Sequence, residues 1–181
     1  MELDDVVPRP DHVTRQARWI EAEPAAVWAV LHAVRFSGLP LTLALSAARL
    51  LPIVLSGRGR GQLRDRPFLD ALPVPVLGSQ PPSSVVFGGL LQPWRLTGGR
   101  PAPELDATGL HAWDAPGWVK VAMDFRLVPT RGGTELSSET RVRATADASR
   151  AAFARYWRVI RHGSAAVRWE VLTAVELRAT R

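Results

Sequence analysis

Apolar residues recur with a helical period over the last stretch of the chain, from Asp147 to about Ala179. Phe153, Trp157, Ile160, Ser164, Val167, Val171 and Ala174 step alternately by four and three, with Tyr156 and Val175 on the flanks. Arg155, Arg158 and Arg161 fall largely away from this stripe. Such a pattern predicts one long amphipathic helix. Asp147 before Ala-Ser-Arg reads as its N-cap, and no proline interrupts it. A helix of that length spans about 50 Å. It needs something concave and apolar to lie on.

Upstream, the period changes to two. Trp118 to Leu127 sets Val119, Val121, Met123, Phe125 and Leu127 against Lys120, Asp124 and Arg126. Thr134 to Ala144 sets Leu136, Ser138, Thr140 and Val142 against Glu135, Ser137, Glu139, Arg141 and Arg143. Thr130-Arg131-Gly132-Gly133 between them is a hairpin turn. Ser83 to Leu91 is mostly apolar, and Gly88-Gly89 within it predicts a bulge or tight bend. Val74 to Leu77 is a short strand that Pro75 places at a sheet edge.

Nearer the N-terminus, Val13 to Ala22 is a weakly alternating strand. Glu23-Pro24 then opens a helix that buries Val27, Trp28, Leu31 and Val34 and ends at Gly38. A second helix runs from about Thr42 to Leu55, with Pro52 kinking or shortening its last turn. Gly57 to Arg66 reads as a solvated basic loop. It carries neither the Gly-Lys-Ser/Thr of a phosphate loop nor an aromatic platform for RNA. Residues 1–11 read as a flexible polar tail and residues 12–181 as a single domain. The predicted class is α+β: a strand, two short helices, a run of antiparallel strands and one long C-terminal helix.

Composition narrows the function. With 181 residues, 46% hydrophobic and 22% charged, the chain has the balance of one soluble globular domain. Its net charge of +6 comes almost wholly from arginine, since Lys120 is the only lysine. Arginine scattered this way is not a nucleic-acid footprint, so no nucleic-acid partner is expected. The absence of cysteine excludes disulfides, thiolate metal sites and a cysteine nucleophile. The acidic start has no signal-peptide pattern, and Pro40, Arg49 and Pro52 break the one long apolar window, so no transmembrane segment and a cytoplasmic location are expected. The four histidines stand apart, and no G-x-S-x-G or dinucleotide fingerprint is present. No catalytic residue, metal or cofactor is assigned.

The polar candidates are Asp124, Glu139 and Arg141. Glu139 and Arg141 are two apart on one strand and share a face. Facing a cavity, they would orient a polar ligand group, with Glu139 available for acid/base work. Facing outward, they would be ordinary solvated charges. The opposite parity, with Leu136, Thr140 and Val142, is the more apolar and favours the outward reading.

The element order is that of the helix-grip fold, and several stretches resemble the START/Bet v 1-like (SRPBCC) superfamily. Ala22-Glu23-Pro24-Ala25-Ala26-Val27-Trp28 resembles its strand-to-helix opening. Leu39 to Thr42, Gly88 to Trp94, Pro116 to Lys120, Glu139 to Val142 and Phe153 to Ile160 are similar to an actinobacterial-type branch with no assigned reaction. That branch tends to place proline before Gly-Ser, where this chain has His162.

The resemblance implies a curved antiparallel sheet wrapped around the C-terminal helix, with an apolar cavity between them. It implies binding, for transport or sequestration, of a hydrophobic small molecule, with Met123, Phe125, Thr140, Tyr156, Trp157 and Ile160 lining the site. A polyketide cyclase/dehydratase-type enzyme using Glu139 or Asp124, and an interaction module with a filled core, are the alternatives. Trp169 falls opposite the stripe. Either the helix re-phases at Gly163, or this side chain packs on the tail, a loop or the second subunit of a homodimer.

Overall fold

The computed structural model describes residues 1–55, 63–95 and 99–181, without the side chains of residues 48–55 and 63. Most of the expected basic loop, residues 56–62, lies outside that description. Five strands, β1 (His12–Ile20), β2 (Val76–Gln80), β3 (Ser84–Leu91), β4 (Val119–Thr130) and β5 (Gly133–Ala144), form one sheet in the order β1-β5-β4-β3-β2. Every neighbouring pair is antiparallel. Helices α2 (Pro24–Ala33) and α3 (Pro40–Leu55) follow β1, and α5 (Asp147–Ala179) crosses the inner face of the sheet. This is the α+β helix-grip arrangement expected from the sequence.

The β4–β5 hairpin closes at Thr130↔Gly133. Gly133 is required there, because a Cβ would lie 2.3 Å from the Ile20 carbonyl oxygen. At Gly88 the expected bulge is absent. The β3–β4 register runs unbroken through Gly88↔Ala122 and Gly89↔Val121, and the irregularity falls in β2, between Val76 and Gly78. Gly88 instead admits close packing, since a Cβ would meet the Leu77 side chain at 2.6 Å.

Strand β1 alternates in burial even though its sequence does not alternate in polarity. Its inward residues include Gln16 and Arg18, which reach α5 through polar contacts. Gln16 Nε2 donates to the Ala165 carbonyl at 3.2 Å, and Arg18 pairs with Glu176 at 2.5 Å.

Apolar cores sit on both faces of the sheet. The inner one joins Ile20, Leu31, Phe87, Phe125, Leu136 and Val171 between sheet and helices. The outer one lies under α1 (Leu3–Val6) and α4 (Ala107–Ala112), where Leu3, Val6, Val7, Leu110 and Trp118 cover Val86, Leu90 and Ala122. The first eleven residues, expected as a tail, thus bring Leu3, Val6 and Val7 to 4%, 0% and 0% exposure. Covering both faces explains why β3 is apolar almost throughout rather than alternating.

Helix α5 runs unbroken through His162-Gly163-Ser164. Its N-cap is Ala146, so Asp147 opens the first turn instead of capping it. The buried side chains are Ser149, Phe153, Arg168, Val171, Leu172 and Val175. The sequence stripe repeats every 3.5 residues, whereas an α-helix turns every 3.6, so the stripe drifts by about 20° per heptad. By the third heptad the buried face has moved from Val167 and Ala174 toward Arg168, Leu172 and Val175. That drift also carries Trp169 from the opposite side to a flank, where it is 56% exposed with the Arg18 guanidinium 5.9 Å from its ring centre.

Candidate functional site

A cavity of about 280 Å³ lies between the sheet and α5, under the segment that joins α2 to α3 and the loop before β2. Phe36, Phe68, Met123, Phe125, Val167 and Val171 form its apolar wall. The inward parity of β4 supplies Met123 and Phe125, and that of β5 supplies Ser138 and Thr140. Helix α5 contributes Ser164, Val167, Arg168 and Val171, one per turn or two along the same side.

Arg168 is the one ionisable side chain among the described residues that line this space. It is 8% exposed. Among the described residues its Nη2 reaches two hydroxyl oxygens, Thr140 Oγ1 at 3.4 Å and Ser164 Oγ at 3.5 Å, both long for hydrogen bonds. Among the described residues no carboxylate lies within ion-pair distance of it. Burial alone pushes the guanidinium below its usual value. A guanidinium nonetheless keeps its proton in proteins, so the cavity holds a positive charge. Ser138 Oγ, which lines the same space, is buried with no hydrogen-bond partner among the described residues. The cavity therefore has an apolar body and one cationic, hydroxyl-rich corner.

Of the residues expected at the site, Met123, Phe125 and Thr140 line this cavity, whereas Tyr156, Trp157 and Ile160 are not among its lining. Trp157 stacks on Phe153 with ring centres 5.8 Å apart, and both lie close to His12. Tyr156 and Trp157 pack there against the cluster of Val119, Val121, Val142 and Ala144, at the other end of the sheet. Ile160 is half-buried. Arg168, Ser138 and Phe68 were not singled out from the sequence. The signal for Arg168 was its spacing: Ser164, Arg168, Val171 and Val175 are one face once the helical drift is followed.

Asp124, Glu139 and Arg141 lie on the outer face, away from the cavity, in a cleft of about 250 Å³ beneath the N-terminal segment. They are not freely solvated there. Arg141 bridges Glu139 at 2.6 Å and Asp4 at 2.7 Å, and Arg126 pairs with Glu2. The Asp124 carboxylate accepts from the Glu139 main-chain N–H at 3.0 Å. Burial holds Asp124 above the usual carboxylate range, opposed by that hydrogen bond and by Arg126. Asp124, Glu139, Arg126 and Arg141 each have an opposite charge or a donor beside them. Among the described residues, Arg168 has no such partner.

Among the described residues, no three histidine, aspartate or glutamate side chains converge as metal ligands, and no helix is long and apolar enough to cross a membrane. No family model matches the sequence, and no curated protein is significantly similar to it. Among solved structures, the fold is similar to protein MLL2253 of Mesorhizobium loti, at 15% identity over 92% of this chain and 98% of that one, with a TM-score of 0.43. It is similar to CalU16 of Micromonospora echinospora, at 14% identity over 92% and 82% of the two chains, and to Ara h 8.0201, at 10% over 90% and 98%. Both of these have TM-scores of 0.27. Similarity at that level does not bear on activity.

Proposed function

We propose that the protein binds a hydrophobic small molecule in the cavity between the sheet and α5, as a carrier or sequestering protein of START/Bet v 1-like type. The observation that carries this reading is the cavity itself. Among Phe36, Phe68, Met123 and Phe125 a concavity of about 280 Å³ stays open toward solvent. Ligand sites are mostly apolar concavities with a few placed polar groups. A filled-core interaction module fits this less well. A cyclase or dehydratase would need an acid or base at the reacting atoms, and Asp124 and Glu139 face away from the cavity.

Native mass spectrometry of the freshly purified protein, followed by organic extraction, tests the reading. A neutral apolar fluorophore such as N-phenylnaphthylamine supplies an independent probe. Binding of that probe by the natural protein, and its loss when Ser164→Phe fills the cavity, is the expected result. Failure to bind the fluorophore, together with an empty extract, would sink it.

A further inference from the structure

Resting on that cavity reading, we propose that the ligand is a singly charged carboxylate with an apolar body, whose head is received by Arg168. Removing a guanidinium from water without an anion is unfavourable by several kcal/mol, and buried charges in proteins are ordinarily paired. Arg168 is 8% exposed, sits on the inner stripe of α5, and has no carboxylate within reach among the described residues. On the outer face of the same sheet, Arg126 and Arg141 are each paired with acids, and the buried Lys120 donates to the His111 carbonyl at 2.5 Å.

The neighbours of Arg168 define what completes it. Thr140 and Ser164 present hydroxyls at 3.4 and 3.5 Å from Nη2, too long to satisfy a planar fork of donors. Ser138 Oγ, lining the same cavity, has no partner among the described residues. A carboxylate placed at this corner would take two parallel N–H donors from the guanidinium, with hydroxyl donors left for its remaining lone pairs. Its apolar body would then lie along Met123, Phe125 and Val171. The described lining holds one cation and no other, which matches one negative charge. A phosphate monoester would bring close to two charges and leave the second unpaired.

The test compares ligands that differ only at the head. Octanoate, octanol and octyl phosphate are titrated calorimetrically at about pH 8, where the carboxylate is ionised, against the natural protein and Arg168→Met. Octanoate should bind the natural protein about tenfold or more tighter than octanol. In Arg168→Met that preference should vanish while octanol binding is kept. Equal affinity for octanoate and octanol would overturn the carboxylate assignment and leave the cavity reading standing. Preference for octyl phosphate over octanoate would overturn it as well. If none of the three binds, the cavity reading falls and takes this inference with it.

A stability measurement separates a ligand-binding arginine from a merely structural one. With no ligand present, Arg168→Met should melt at a higher temperature than the natural protein, because it removes an unpaired buried charge. A lower melting temperature would show that Arg168 serves the fold through Thr140 and Ser164, and would count against the proposal.

Discussion

Glu170 caps the start of α3 from across the inner core through Thr42. Its carboxylate accepts the Thr42 main-chain N–H at 2.7 Å, the Thr42 hydroxyl at 2.6 Å and the Leu41 N–H at 2.8 Å. Three donors at a helix N-terminus thus depend on a side chain from another helix. Thr42 also lines the cavity, so this contact fixes one of its walls. Glu170→Ala should cost about 1–3 kcal/mol, read from urea unfolding curves, and should weaken binding of the neutral fluorophore. Glu170→Gln, which keeps the acceptor oxygen, should recover part of both. An unchanged unfolding midpoint in the alanine variant would show that water replaces the cap at no cost.

Asp124 gives a pH dependence with a definite sign. Its carboxyl is held above the usual value of 3.8, first by burial. A raised folded-state value means that the protonated form is favoured by folding. The stability it contributes is therefore complete below the unfolded-state value and is lost as pH rises through the folded-state value. Asp124→Asn keeps an acceptor for the Glu139 N–H and removes the buried charge. The variant should gain on the order of 1 kcal/mol at about pH 7, with the gain shrinking toward acid. Unfolding curves across that range check it. A gain that grows toward acid would contradict the assignment.

The N-terminal cover is held by packing more than by charge. Leu3 is 4% exposed within the outer core, while the acids tied to Arg126 and Arg141 are exposed partners. Leu3→Ala should cost about 2 kcal/mol or more, whereas Asp4→Ala should cost clearly less, because exposed ion pairs contribute little. Thermal melts in low and high salt separate the two, since only the second responds to screening. Comparable losses would mean that the ion pairs position the segment.

Arg18 lies between Glu176 and the face of Trp169. Both contacts are partly exposed, so Arg18→Ala should cost no more than about 1 kcal/mol. The emission of the indole at Trp169 should nevertheless shift, because the guanidinium 5.9 Å from its ring centre is gone. Fluorescence of the natural protein, of Arg18→Ala and of a Trp169→Phe control measures this directly.

The architecture was legible because β4, β5 and α5 carry clear periods. Met123, Phe125 and Thr140 were readable as inward residues because their strands alternate cleanly. Arg168 was not, for a geometric reason. A stripe counted in heptads loses its phase along thirty residues of straight helix, and a charged residue looks misplaced until the drift is included. Tyr156 and Trp157 were placed at the ligand by their size and amphipathic character. Their packing with Phe153 and His12 depends on where β1 begins, which no local pattern encodes. The outer core escaped notice because Leu3, Val6 and Val7 are few and lie among acids. Only the folded sheet shows what they cover.

Adjacent residues of β5 belong to different chemistries: Ser138 and Thr140 open into the cavity, while Glu139 and Arg141 are tied to the outer cleft. A one-residue slip of this strand would exchange the two sets, driving an ion pair into the apolar interior and hydroxyls beneath the N-terminal segment. No neighbouring alignment is tolerable on either side. The β4–β5 ladder is thus held to a single alignment, and its amide protons should exchange slowly with deuterated solvent.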